Sequence, residues 1–171
     1  TIRAEILGVN AGRETRGHRF HHPGPLYLGE PEAYAPLLES EGRVMADFGD
    51  RREAIRAQVL ETARALGGRP LMEEALLDEV TALVEWPVAV GGSFDARFLA
   101  VPAEALISSM QDHQKYFPVV DNSGRLLPCF VTIANVESRE PDQVRAGNER
   151  VIRPRLTDAE FFWTQDRKHP L

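Results

Sequence analysis

The sequence predicts an α+β, or mixed α/β, domain with a mixed or antiparallel sheet. Three observations carry this. Apolar residues recur at helical spacing at Ile55, Val59, Ala63 and Leu66, and again at Leu76, Val80, Leu83 and Val84. After Pro87 the pattern changes to short apolar runs of strand type. Two of those runs, YFPVVD and LLPCFVTIAN, flank Asn122-Ser123-Gly124, a tight hairpin signal. Neighbouring strands joined by a short turn, beside amphipathic helices, belong to mixed layer architectures.

Along the chain, TIRAEILGV reads as a strand on the alternation Ile2, Ala4, Ile6. AGRETRGHRFHHPGP is a polar loop or short strand punctuated by Gly and Pro. PEAYAPLLESEG reads as a short helix, with Pro31 in its first turn and Gly42 beyond its end. RVMADF is a short strand or extended link. GDRREAIRAQVLETARALGG reads as a helix capped by Asp50 and ended by Gly67-Gly68. LMEEALLDEVTALVEWP is a second helix stopped by Pro87, and the two form a charged helical hairpin over about residues 50–86. PVAVGGS and ARFLAVP read as short strands. PAEALISSMQDHQ reads as a helix opened by Pro102, with Leu106 and Met110 facing inward. REPDQVRAGNERVIRPRL is expected to be a short helix and then a link. Thr157-Asp158-Ala159-Glu160 has the form of a capping box that opens a final helix carrying Phe161, Phe162 and Trp163.

A length of 171 residues, 43% of them hydrophobic, suits one domain with a real core, or one domain and an appendage. No apolar run reaches the roughly 18 residues that would suggest a membrane span. The start, TIRAEILG, has neither an initiator Met nor a signal-peptide pattern, so the chain looks like a piece of something longer. Cys129 alone makes neither a disulfide framework nor a thiolate metal site, and a cytoplasmic setting follows as the expectation. The net charge of −6 argues against a dedicated nucleic-acid binder. The charge is uneven, however: residues 30–85 are rich in Glu and Asp, whereas Arg145, Arg150, Arg153 and Arg155 cluster around a single glutamate, Glu149.

Three constellations could carry chemistry. His18, His21 and His22 raise the question of a metal, but the spacing lacks a helical i, i+4 pair and a nearby carboxylate, so a hydrogen-bonded loop is the expectation. The run Gln111, Asp112, His113, Gln114, Lys115, Tyr116 stands at a helix end before a strand, where several side chains can converge. Asp112 and His113 could act as a base pair, yet Ser108 and Ser109 sit in no nucleophile elbow, so no catalytic residue is assigned. The arginine series suits phosphate oxygens, and equally suits an acidic protein surface such as the helical pair. Neither G-x-x-x-x-G-K-[ST] nor G-x-G-x-x-G is present, so nothing here argues for nucleotide binding.

Several strings go further: TRGHRFHHP, LVEWPVAV, FLAVPAEALISSMQDHQKYFPVVD and GNERVIRPRLTDAEFFWTQDRK. Over almost the whole chain, from Ile6 to Lys168, they resemble the beta subunit of bacterial heterotetrameric glycyl-tRNA synthetase. That resemblance implies an editing-like domain of B3/B4 type over 1–156, with 157–171 beginning a helix that leads to an HD-type domain. It implies an alpha subunit that holds the aminoacylation site with ATP and Mg, no cofactor in this segment, and as partners that alpha subunit, the tRNA for glycine and the rest of the beta subunit. No His-Asp dyad of HD type stands in this chain. The positions implied for tRNA or interdomain contact are Arg16, His18 and Arg19; Gln111, Asp112, Lys115 and Tyr116; and Asn148, Arg150, Arg153 and Arg155. The expected role is non-catalytic binding and docking. Two alternatives are an editing hydrolase acting on mischarged tRNA and a protein-interaction module without RNA contact. Editing has a weak rationale, because a pocket shaped for glycine, the smallest amino acid, excludes all others by clash.

Overall fold

The computed structural model describes residues 4–168. Ile2, part of the alternation expected in the first strand, lies outside them. The remaining stretch is not one strand: β1 (Glu5–Ile6) and β2 (Val9–Asn10) form a hairpin. Leu7 and Gly8 turn it with φ of 52° and 79°. Positive φ at both central residues is the turn whose twist matches paired strands. A second hairpin joins β3 (Glu14–Arg16) to β4 (Pro25–Tyr27). A 3-10 turn at Pro31–Ala33 leads into α1 (Tyr34–Ser40), with Gly42 past its end. Residues 43–47 are an extended link.

The main body is a sheet with helices on both faces. Its strands are β5 (Arg69–Pro70), β6 (Val88–Ser93), β7 (Phe117–Val120) and β8 (Leu126–Ala134), in the order β5-β7-β8-β6, all antiparallel. On one face lie α2 (Phe48–Ala65) and α3 (Glu74–Leu83). Ile55, Val59 and Ala63 meet Leu77 and Val80 there, over Phe117, Val119, Cys129 and Val131. On the other face Phe98, Leu106, Met110, Ile152 and Leu156 close over Tyr116 and Phe130. Burial on both faces explains why β7 and the middle of β8 read as continuous apolar runs rather than alternating ones. It also pushes up the Cys129 thiol, which is withdrawn from solvent.

Several expectations change. The cap of α2 is Asp47, not Asp50: its carboxylate accepts the Asp50 N–H at 2.9 Å. Leu83 does not join the α3 stripe, since it is 63% exposed while Leu76, Val80 and Val84 are buried. The two helices are not joined by a loop alone, because β5 intervenes and pairs with β7. ARFLAVP is no strand: Asp95 accepts the Arg97 N–H at 2.9 Å and starts a 3-10 turn at Ala96–Ala100 that buries Phe98. The segment opened by Pro102 is α4 (Ala103–Ser108), and it widens into a π turn over Ser109–His113.

The largest correction concerns the last third. Residues Pro141–Lys168 form one helix, α5, with no break at 157. At 1.5 Å per residue it is about 42 Å long. Thr157 caps nothing; its hydroxyl donates back to the Arg153 carbonyl at 3.0 Å, inside the helix. Pro154 removes one helical N–H. It is exposed, and buried Ile152 and Leu156 on either side hold the backbone on the second core. Of the three consecutive aromatics, Trp163 packs on this core, whereas Phe161 and Phe162 are 56% and 64% exposed.

Strand β6 is an edge, and its outer side is closed by side chains. From α2, Gln58 accepts the Ala89 N–H at 2.9 Å and donates to the Pro87 carbonyl at 3.1 Å. From α5, Glu149 accepts the Ser93 N–H at 2.9 Å. Satisfying edge groups in this way hinders pairing with a foreign strand.

Candidate functional site

The expected site residues fall in three places. In the first, Arg16 ends β3, exposed and 4.0 Å from Glu14. Arg19 lies over the Phe20 ring, 5.4 Å from its centroid. His18 is fully buried. Its Nδ1 accepts the N–H groups of Phe20 and His21 at 3.3 and 3.4 Å, and its buried Nε2 has no hydrogen-bond partner among the described residues. His18 N–H donates to the Gly42 carbonyl at 2.7 Å, tying this loop to the end of α1. His21 instead accepts the Glu137 N–H at 3.0 Å. The histidine run therefore joins chain segments. Among the described residues, no group of three or more His, Cys, Asp and Glu is placed to hold a metal ion.

The second place is the π turn. Gln111 is buried, and its amide nitrogen has no partner. Asp112 accepts the Ser108 hydroxyl at 2.6 Å, so Ser108 is not poised against His113. Lys115 sits at φ 58°, ending the turn in the left-handed region, and pairs with Glu79 at 3.0 Å. Tyr116 is buried and stacks on Phe130 at 4.6 Å with the rings almost parallel. Its hydroxyl donates to Asn148 Oδ1 at 2.8 Å, and Asn148 donates to the Val144 carbonyl at 2.8 Å. Burial raises the Tyr116 pKa to about 12. Two of the expected residues, 32 positions apart, thus meet as a structural link between the π turn and α5.

The third place is α5. Arg145 pairs with Asp142 on its own helix. Arg150, Arg153 and Arg155 are exposed and make no ion pair among the described residues. The acidic helical surface does not neutralise them. Arg52 bonds both Glu74 and Asp78, and Arg56 holds Glu74 at 2.9 Å. Those bonds draw the Glu74 carboxyl down to about 2, chiefly through Arg56. They raise the Arg52 guanidinium further, chiefly through Asp78.

Beside α5 an open cleft of about 640 Å³ is lined by Ser93, Asp95, Arg97, Glu149 and Arg153, with Phe94 and Phe98. Glu149 is occupied by Ser93, which gives it a backbone N–H and a hydroxyl. Arg97 lies over Phe98 at 4.7 Å and is only loosely neutralised, 4.0 Å from Asp95 and 3.7 Å from Glu160. The cleft thus presents two guanidinium groups, Arg97 and Arg153, near an aromatic wall. Such forks suit planar anions and phosphate. Sequence reasoning found Arg153 but missed Arg97, Asp95, Ser93 and Glu149. Their signal was confined to GGS followed by Asp95, a turn-and-cap pattern that says nothing of a partner helix 56 residues away.

The fold is a mixed α/β domain: a two-faced antiparallel sheet whose longest helix displays arginines without ion pairs among the described residues, one of which, Arg153, lines a cleft. Comparison with known proteins gives the particular family. The glycyl-tRNA synthetase beta subunit family matches over residues 1–171, and the chain belongs to it. It is 56% identical over 170 residues to the glycine–tRNA ligase beta subunit of Azotobacter vinelandii, covering 99% of this chain and 25% of the relative. With that of Hahella chejuensis it shares 55% over 170 residues, again 99% and 25%. With that of Pseudomonas putida it shares 57% over 166 residues, 97% and 24%. The chain therefore spans about a quarter of the length of the relatives it matches.

Proposed function

We propose that this chain is a non-catalytic portion of the beta subunit of glycyl-tRNA synthetase. It contacts the tRNA for glycine and docks neighbouring parts of the enzyme. In this reading ATP, Mg and the joining of glycine to tRNA belong to the alpha subunit, and the setting is cytoplasmic. Residues 1–156 act as an editing-like domain of B3/B4 type retained for binding, and 157–171 lead to the next domain. The continuity of α5 across residue 156 would make that lead a rigid one.

One observation carries the reading. Arg150, Arg153 and Arg155 stay exposed and without ion pairs among the described residues, although the chain as a whole is acidic. Guanidinium forks left in solvent on one helix suit phosphate oxygens, which position an RNA without reading its sequence. The editing alternative has no such support. Among the described residues no hydrogen bond joins a Ser or Cys to a His, and the Ser108 hydroxyl is directed to Asp112.

The test is a salt titration of tRNA binding by the intact enzyme carrying Arg153→Ala with Arg155→Ala. Removing one arginine–phosphate interaction lowers the slope of log K against log salt by about 1 and weakens binding. Unchanged slope and affinity would remove the proposal. Release of alanine from mischarged tRNA by the enzyme, abolished by Asp112→Asn, would favour editing instead.

A further inference from the structure

We infer that the outer face of α5 is a docking surface centred on Phe161 and Phe162, and that its occupant is an apolar, basic-rimmed face in the remainder of the same beta subunit. This rests on the docking half of the reading above, independently of its tRNA half, and names the surface and what covers it. Successive helix positions diverge by about 100°. Ile152, Leu156, Ala159 and Trp163 fall within one arc, and they hold α5 on the second core. Phe161 is two positions from both Ala159 and Trp163, which puts it on nearly the opposite side. Phe162 stands beside it, and Val151 lies about three turns earlier on the side of Phe162. Phe161, Phe162 and Val151 are 56%, 64% and 50% exposed. Apolar residues on two faces of one helix mark a helix that is covered twice.

The surroundings say what covers the second face. The two rings meet edge to face, with centroids 5.6 Å apart at 74°, and form a single ridge. Phe162 has Asp158 one turn before it and Asp166 one turn after. Both carboxylates are exposed and make no ion pair among the described residues. Arg167, next to Asp166, lies instead over the Trp163 ring, 5.1 Å from its centroid. Two acids beside an apolar ridge repel phosphate, and they repel their own copies across a two-fold contact. They fit lysines or arginines at the rim of a different protein face. The size of the patch selects the source. Two partly exposed rings and a valine offer roughly 200–300 Å² of apolar area. A separate subunit bound stably covers about 800 Å² per partner. So small a contact holds where the partner is tethered in the same chain, at an effective concentration on the order of millimolar. This chain spans about a quarter of the length of its relatives, so the other three quarters of such a subunit are available to supply the face.

The experiment places a photo-crosslinking residue in the intact enzyme, Phe162→p-benzoylphenylalanine, and maps the links by mass spectrometry. The expected link stays within one beta polypeptide and joins position 162 to a peptide outside these 171 residues, with Lys or Arg beside the linked residue. Phe161 and Phe162 are exposed, so their replacement leaves both cores in place. Phe161→Ala with Phe162→Ala should speed amide hydrogen exchange in the linked peptide about tenfold or more, and Phe162→Tyr should not. Asp158→Lys should speed it as well, by reversing the charge at the rim. A link to the alpha subunit or to a second beta subunit overturns the same-chain occupant and leaves the docking reading standing. A link to bound tRNA overturns the protein occupant altogether. A link confined to residues of this segment, or none, in an enzyme that charges tRNA normally, overturns the inference, and the docking reading falls with it at this helix.

Discussion

Glu149 on α5 receives two hydrogen bonds from Ser93 at the end of β6. The backbone N–H donates at 2.9 Å and the hydroxyl at 3.0 Å, both to the same carboxylate oxygen. The pairing closes the edge of the sheet and fixes one wall of the cleft. Glu149→Ala is expected to cost about 1–2 kcal/mol, near the lower end for hydrogen bonds to an ionised group because the site is half open. Glu149→Gln keeps an acceptor and should cost less. Urea unfolding of both variants measures the difference, and light scattering should show more self-association for the alanine variant, whose β6 edge is uncovered.

The burial of the Tyr116 phenol should be visible as an alkaline instability. A phenol whose folded pKa is raised stabilises the fold fully below its unfolded value of about 10. That contribution is lost as pH climbs toward about 12. Melting temperature should therefore fall across that window. Tyr116→Phe should remove this part of the fall and cost about 1 kcal/mol at neutral pH, because Asn148 loses its donor.

The link between α2 and α3 predicts the opposite behaviour in acid. Arg56 and Arg52 lower the Glu74 carboxyl from 4.5 to about 2. A carboxyl with a depressed folded pKa stabilises the fold above its unfolded value and loses that effect as pH falls through the folded one. Glu74→Gln should flatten the dependence of melting temperature on pH between about 4.5 and 2. The groups lie at the surface, so added salt should shrink the difference.

Gly92 is a packing position. A Cβ there would press into the ring of Phe130, which is fully buried and stacked on Tyr116. Gly92→Ala is expected to destabilise by about 1–3 kcal/mol through overpacking. Gly147→Ala serves as the control, since its Cβ would meet nothing and its helical site favours alanine by up to about 1 kcal/mol. Paired thermal melts separate the two effects.

Much of the layout was legible because it follows from local pattern. The stripe Ile55, Val59, Ala63, the inward Leu106 and Met110, and the Asn122-Ser123-Gly124 turn are each set by residues within a few positions of one another. Local signals failed where tertiary packing overrode them. The capping box at Thr157 is genuine in form, yet Ile152, Leu156, Ala159 and Trp163 lie on one face of a helix that never stops. ARFLAVP alternates like a strand, but capping by Asp95 and burial of Phe98 select a 3-10 turn.

By itself the sequence determined the family, to which the 55–57% identity with its relatives also assigns the chain. It also determined the fold class, since helical and strand periods are local properties of the chain. The tertiary structure decided which polar residues are available. His18 and Tyr116 are absorbed into the interior, Lys115 and Asp112 into local pairs, and Arg52 and Arg56 into carboxylates. Arg150, Arg153 and Arg155 remain in solvent, and Arg97 joins Arg153 across a cleft. Whether a charge is paired depends on what lies opposite it in space, and that is set by how α2, α3 and α5 pack on the sheet.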